Sequence, residues 1–329
     1  MSIWILGARG RIGRAVATRL REQGIEPVLI GRETEIVTEI GRQRPEVVVN
    51  TIGDYAATAL TIARAGLPHG GHYLDVANDL VAVPRMLAAH DEAAAAGSTF
   101  VTGAGFGVLA TESVVVKLCE DRPTPSRVRV DALASVGMAA GVFGQALAAT
   151  TLDVLTSGGR RFSSGRLVSS RLGAGARTLA LPDGTSIRSA EVPSGELLAA
   201  RAASNAPDVT VTSALAPGSP VVRALLPAAA RLLAIPPVRR FAQARMAAIA
   251  IKDTPRPRPY SWGHAVVEWP DGTTREGWLR AGDGMDFTAA VLAEAAVRLH
   301  DGEGKPGAYT PAAALGPDLA VAAGGTFVL

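Results

Sequence analysis

Ile3-Trp4-Ile5-Leu6-Gly7-Ala8-Arg9-Gly10-Arg11-Ile12-Gly13 is the stretch on which the reading of this chain turns. Four apolar residues read as a buried strand, glycines follow at a spacing of three, and Arg11–Gln23 has helical periodicity. Each glycine has its own physical reason. Gly7 permits a tight turn, Gly10 lets a diphosphate approach the backbone, and Gly13 lets the helix pack closely on the strand. The helix start then offers unpaired N–H groups and the positive end of its dipole to the phosphates. The pattern predicts a Rossmann-type dinucleotide seat built from Gly7, Ala8, Arg9, Gly10, Arg11, Ile12 and Gly13. An ordinary glycine-rich turn is the alternative, but it does not require a strand before, a helix after and a second strand at the right distance.

That second strand, Pro27–Ile30, runs into Gly31-Arg32. An NAD-selective site would place Asp or Glu there to bind the ribose 2′-hydroxyl. Gly31 leaves space instead, and Arg32 can form charge-assisted bonds to a 2′-phosphate, with Arg9 as a second cation. NADP(H) is therefore the expected cofactor, although Glu33 keeps a ribose contact open. Further along, Asn50-Thr51-Ile52-Gly53 closes the strand Val47–Asn50. Asn50, Thr51 and Gly53 are expected to line the crevice at the carboxyl edge of the sheet.

Short apolar runs alternate with helical stretches as far as Thr99–Thr102, the pattern of a parallel sheet covered by helices. Expected strands include His72–Val76 and Thr99–Thr102, with helices at Thr34–Arg44, Ala56–Ala65 and Val83–Ala96. From Ser126 the texture changes to antiparallel strands with helices. Expected there are strands at Val128–Ala134, Thr178–Leu181, Ser186–Val192 and Val209–Leu215, and helices at Phe143–Leu155 and Thr288–Leu299. Ser157–Gly165 reads as a Gly- and Ser-rich connection, and Leu225–Ile251 as two amphipathic helices broken by Pro236-Pro237. Asp271-Gly272 marks a hairpin between Trp262–Trp269 and Thr273–Arg280. The fold class is α/β: a Rossmann-type domain at 1–118, an α+β substrate or oligomerisation domain at 119–305, and a segment at 306–329 returning to the first domain. That last segment carries a helix, Pro311–Leu319, and a strand, Thr326–Leu329.

The 329 residues are 48% hydrophobic and 19% charged, with a net charge of +3, which suits a soluble enzyme and leaves no basic tract for nucleic acid. The single cysteine, Cys119, excludes an intrachain disulfide and a multi-cysteine metal site, and a cytoplasmic setting is expected. No uninterrupted apolar run reaches the ~20 residues of a membrane span. A signal peptide is not expected, because the strand begins at once after Met1. The expected partner is a small molecule, with a homodimer left open.

With these pieces assembled, the chain resembles the saccharopine dehydrogenase-like oxidoreductases. The resemblance rests on the Gly7–Gly13 loop, Gly31-Arg32, Asn50-Thr51-Ile52-Gly53, and His72-Tyr73-Leu74-Asp75-Val76-Ala77-Asn78-Asp79. Gly103-Ala104-Gly105-Phe106 and the closing Tyr309–Gly316 extend it to both ends. It implies a nicotinamide-dependent reduction of a C=N, C=C or C=O bond in a small or lipid-like, largely apolar substrate. Two features depart from the family. The chain between Arg32 and Glu46 is short for the strand and helix that flank adenine. The Tyr-x-Asp-x-x-x-Glu pattern ends here in Asp79.

A reduction also needs a proton source. No tyrosine is followed four residues later by lysine, so the short-chain dehydrogenase arrangement is absent. Tyr55 and Asp79, on loops at the carboxyl edge, are the catalytic candidates, Tyr55 as donor and Asp79 as orienting group or relay. The alternatives are a packed aromatic and a helix cap. His264 is a weaker candidate, and His69 and His72 lack a third ligand for a metal. An NADP(H)-binding sensor without catalysis is the rival reading. Arg32→Ala should weaken NADPH binding at least about tenfold while leaving NADH nearly unchanged. Fluorescence titration with both dinucleotides checks this, and equal losses would remove the 2′-phosphate assignment.

Overall fold

The computed structural model describes residues 2–31, 35–138, 140–214, 228–233 and 235–329, so Arg32 and Glu33 lie outside the described residues. In chain order the strands are β1 (Ile3–Leu6), β2 (Val28–Ile30), β3 (Val47–Asn50), β4 (His72–Asp75), β5 (Thr99–Val101), β6 (Arg127–Leu133), β7 (Gly141–Val142), β8 (Gly159–Ser163), β9 (Arg166–Ser170), β10 (Arg177–Ala180), β11 (Ser186–Glu191), β12 (Asp208–Ser213), β13 (Ala250–Ile251), β14 (Ser261–Glu268), β15 (Thr274–Ala281), β16 (Gly307–Tyr309) and β17 (Thr326–Val328). The helices are α1 (Arg11–Glu22), α2 (Ile36–Gln43), α3 (Tyr55–Gly66), α4 (Ala82–Leu87), α5 (His90–Ala95), α6 (Phe106–Cys119), α7 (Gln145–Ser157), α8 (Glu196–Ser204), α9 (Pro236–Ala247), α10 (Gly284–His300), α11 (Pro311–Leu315) and α12 (Leu319–Ala322).

The first sheet has the order β2-β1-β3-β4-β5-β16, and every pairing in it is parallel. Continuous Val/Ile/Leu runs suit strands covered on both faces, and β1 and β3 are buried along their whole length. The chain leaves β1 in opposite directions toward β2 and β3, so the crevice for a ligand opens beyond the carboxyl ends of β1 and β3. Gly7 has φ +80, and a Cβ there would lie 2.7 Å from Thr51 Oγ1. At Gly13 a Cβ would stand 2.5 Å from the Gly7 carbonyl oxygen, so α1 touches the loop backbone to backbone. Because that obstacle is main chain and cannot rotate away, Gly13→Ala should cost about 1–3 kcal/mol. Urea denaturation measures it, and an unchanged midpoint would mean the contact is looser than described.

The second sheet runs β10-β11-β12-β6-β14-β15-β17, with the β8–β9 hairpin attached to β12. It is mixed rather than antiparallel throughout, because β12 lies parallel to β6. The expected loop at Ser157–Gly165 contains β8, whose turn into β9 has positive φ at both Ser164 and Gly165. The expected helix Val83–Ala96 is split into α4 and α5. The break lets His90 meet Tyr309 edge-to-face at 5.0 Å. Gly316, at φ +82, and Pro317 likewise divide Pro311–Leu319 into α11 and α12. Within Leu225–Ile251, 225–227 and Ala234 are not described, and α9 turns Arg239, Ala242, Gln243, Met246 and Ala247 inward at helical spacing while its other side is exposed.

The two ends of the closing segment part company. β16 extends the first sheet, but the expected return of Thr326–Leu329 to that domain is corrected by the structure. β17 instead pairs with β15, where Gly277 makes room for Leu329. Between the sheets lies α6, mostly apolar and buried from Phe106 to Leu118 apart from Gly107, Val116 and Lys117. On the other flank α10 packs against α1. One apolar cluster thus runs from Ile3 and Val47 through Leu109 and Leu292 to Val130 and Ala265.

Glu112, buried in the middle of α6, accepts from Thr310 Oγ1, from Ala312 N at 2.9 Å and from Ala313 N at 3.2 Å, closing the start of α11. Burial pushes its carboxyl up to about 7 despite those donors. A group raised in this way stabilises the fold most below its unfolded value of 4.5, and that contribution is lost as pH rises through about 7. Glu112→Gln should therefore lose stability relative to the parent at acid pH, by about 1–3 kcal/mol, and recover part of it as pH rises across this interval. Thermal unfolding of both proteins on either side of the interval tests this, and parallel pH curves would refute it.

Candidate functional site

The glycine loop sits at the carboxyl end of β1, where the sheet topology places a ligand. Gly10 N donates to Gly7 O at 2.8 Å and Arg14 N to Gly10 O at 3.0 Å. The N–H groups of Arg11, Ile12 and Gly13 thus precede the first i→i−4 bond of α1 and face outward without an acceptor in the helix. No acidic residue lies in that first turn, and no side chain caps it. Gly10 is exposed, and a Cβ on Gly31 would meet nothing within 4 Å. The residues present therefore fit a dinucleotide: bare amides at a helix start, with open space beside the end of β2.

Ala8 and Ile12 pack against the main core, and Arg9 is exposed, with no carboxylate partner among the described residues. Arg11 crosses to the second half of the chain. Its Nη1 donates to Gly137 O at 2.6 Å and its Nη2 to Asp283 Oδ1 at 3.2 Å. Asp283 also caps α10, accepting from Met285 N at 2.8 Å, and takes the Gly137 N–H at 2.9 Å. Burial alone would raise this carboxyl, but the backbone donors and Arg11 outweigh it and leave it lowered. The seat is thus held to the second sheet by a shared carboxylate.

Asn50 is wholly buried. Its Nδ2 donates to the Tyr73 hydroxyl at 2.9 Å and its Oδ1 accepts from Ile52 N at 3.0 Å. Thr51 Oγ1 donates to Leu6 O at 2.7 Å. Both side chains brace the loop that carries Gly53. Beside them Asp75 Oδ1 accepts from Thr102 Oγ1, Ala77 N and Gly103 N, tying together the loops after β4 and β5, while its Oδ2 has no partner. Burial pushes Asp75 up to about 6.

Where these loops face the second sheet, a cleft of about 280 Å³ opens. Its wall is largely apolar, with Ile12, Val76, Phe106, Val136 and Met285 beside Asn78. The expected catalytic pair is not brought together there. Tyr55 begins α3, and its phenol is raised far above the ordinary range by burial and by the Asp75 charge. Asp79 Oδ1 accepts from Val81 N at 2.9 Å and Ala82 N at 2.7 Å, the helix-cap arrangement at the start of α4. Neither residue lines the cleft.

A different carboxyl stands behind the wall. Glu196, at the first position of α8, is 3% exposed and presses on Gly107, where any side chain would collide with its Oε1. Asn78 Nδ2 donates to that oxygen at 3.1 Å, while Asn78 Oδ1 accepts from Gly195 N at 2.7 Å. Oε2 has no partner, and burial raises this carboxyl above the ordinary glutamate range. Nothing local in Gly195-Glu196-Leu197 distinguishes it from a surface helix start, and its partner is 118 positions away.

His264 belongs elsewhere. Its two ring nitrogens lie 2.9 Å from Asp131 Oδ2 and 2.9 Å from Glu276 Oε1, and the ring stacks on Trp278 at 3.8 Å. Arg129 completes the network at 2.8 Å from Asp131. Burial would raise Asp131, yet bonds and charges from His264 and Arg129 hold it down to about 2. Both histidine nitrogens are engaged within the second sheet, away from the cleft. No group of three metal-ligating side chains occurs among the described residues.

Neither family models nor curated protein sequences gave a match to the chain. Solved structures did. The chain is similar over 100% of its length, and 100% of the other, to apo saccharopine dehydrogenase (L-Glu forming) from Saccharomyces cerevisiae, with 13% identity and a TM-score of 0.55. It is also similar to an amine dehydrogenase from Mycobacterium smegmatis, with 11% identity, coverage of 95% and 96%, and a TM-score of 0.48. At such identity the first likeness speaks to architecture: the chain has the two-sheet, Rossmann-containing fold of saccharopine dehydrogenase.

Proposed function

We propose that this protein is a nicotinamide-dependent oxidoreductase, preferring NADP(H), that reduces a C=N, C=C or C=O bond of a small or lipid-like, largely apolar substrate. The observation that carries the reading is the position of the bare α1 N-terminus beside an apolar cleft, with Ile12 common to both. The amides of Arg11, Ile12 and Gly13 would hold the diphosphate, and Gly53 would allow ribose approach. Arg9 and Arg32 would meet the 2′-phosphate. The bound nicotinamide would supply the hydride. Val76, Phe106 and Val136 would exclude water from the substrate.

Reduction leaves one atom of the former double bond in need of a proton. We assign that proton to the Glu196 carboxyl, whose proton affinity burial raises and which packs directly behind Gly107 and Asn78 at the cleft wall. Tyr55, whose phenol is held neutral, and Asp79, engaged as a cap, would then shape the neighbouring loops. The rival reading, a dinucleotide sensor, draws support from one observation: among the described residues no ionisable side chain lines the cleft itself.

Turnover of NADPH with a panel of imines, enones and ketones separates the two, because a sensor binds the dinucleotide and consumes none. For the enzyme, Glu196→Gln should lower kcat about a hundredfold and remove the alkaline limb of its pH profile while leaving NADPH affinity within about twofold. An unaltered pH profile would exclude Glu196 as the proton source.

A further inference from the structure

The exposed apolar side chains of this chain are not scattered. Six of the fifteen large exposed hydrophobics among the described residues are Val142, Leu232, Ile235, Val238, Phe241 and Ile249, and they share one small lobe. Within it β7 and β13 form a two-stranded ribbon, and Phe143 N donates to Ile249 O at 2.9 Å. Gly144 N donates to Ala247 O at 3.0 Å, tying the ribbon to the end of α9, which packs on α7. Only Ala247 of α9 is buried, and Phe241 is 69% exposed at the centre of its outer face.

Charge distinguishes this lobe as well. Residues 228–256 contain Arg231, Arg239, Arg240, Arg245, Lys252 and Arg256 against the single acid Asp253. Since the whole chain carries only +3, the remainder is net acidic and the lobe holds the excess of positive charge. Arg240 and Arg245 lie on the exposed side of α9 with Phe241 between them. A second copy placed symmetrically on this face would oppose the same arginines, a repulsive arrangement. An anionic surface that also accepts apolar side chains matches both properties, as at the headgroup level of a negatively charged bilayer. No described helix is long and apolar enough to cross a membrane, so the contact would be peripheral.

We propose that α9 and the β7–β13 ribbon form a docking surface for an anionic lipid bilayer, with Phe241, Val238 and Ile249 entering the headgroup boundary and Arg240 and Arg245 contacting lipid phosphates. The proposal stands independently of the redox reading. It is tested by co-sedimenting the full chain with vesicles of phosphatidylglycerol and phosphatidylcholine in equal parts, and with vesicles of phosphatidylcholine alone. The expected result is binding to the anionic vesicles that weakens with salt. Phe241→Ser should reduce it about tenfold, and Arg240→Ala and Arg245→Ala about fivefold each. All three positions are solvent-facing, so thermal unfolding should match the parent. No binding to either vesicle, or equal binding to both, overturns the proposal. So does self-association in sedimentation velocity that Phe241→Ser abolishes, since the face would then cover a second copy.

Discussion

The contact of Gly13 with the Gly7 carbonyl is the constraint on which this architecture rests. Without a side chain at either position, α1 starts close enough to β1 for its first amides to crown the carboxyl end of that strand, between β2 and β3. The register of β1 with β3 then brings Thr51 against Leu6 and aligns the loop after β3 with the helix start. Arg11, the first residue of α1, carries the same constraint outward to Asp283 and Gly137. A backbone contact a few ångströms across thereby aligns the α1 N-terminus, a sheet edge and a cleft wall.

Polar groups around this seat divide by task. Asn50 and Asp75 are buried and accept from loop backbone, with Tyr73 bonded to the Asn50 side chain, the behaviour expected of groups that hold a loop shape. Glu196, like Asp75, has one oxygen without a partner although it is almost fully enclosed, but its other oxygen accepts from the Asn78 side chain rather than from the loops after β4 and β5. An unsatisfied buried carboxyl is costly when ionised, which favours the protonated form. The Asp131 network shows the opposite solution, with a carboxylate kept charged by guanidinium and imidazole partners.

Much of the first sheet was legible in the sequence, because strands buried on both faces must be written as apolar runs between turn signals. The glycine loop was legible because its glycines recur at a fixed spacing, and at Gly7 and Gly13 a side chain would collide with neighbouring residues. What escaped was non-local. β12 beside β6 is a parallel pairing across eighty residues that no short pattern encodes. α6 has no polar stripe, so periodicity could not separate it from a strand. β17 chose the second sheet because an edge and a gap at Gly277 were available there. Glu196 became visible only when the fold set it against Asn78. Asp79 could be read as cap or catalyst from its position before a helix, and only the geometry showed its oxygen bound to the first turn of α4.

The shared apolar cluster between the sheets has a mechanical consequence. In proteins whose two halves meet through a thin, wet seam, a ligand enters when the halves swing apart about a hinge. Here α6 and α10 are fixed in one continuous core, and such a swing would strip water-excluded packing from Leu109, Val130 and Leu292 together. Access to the cleft is therefore a matter of small displacements of its lining side chains rather than of the two sheets moving apart.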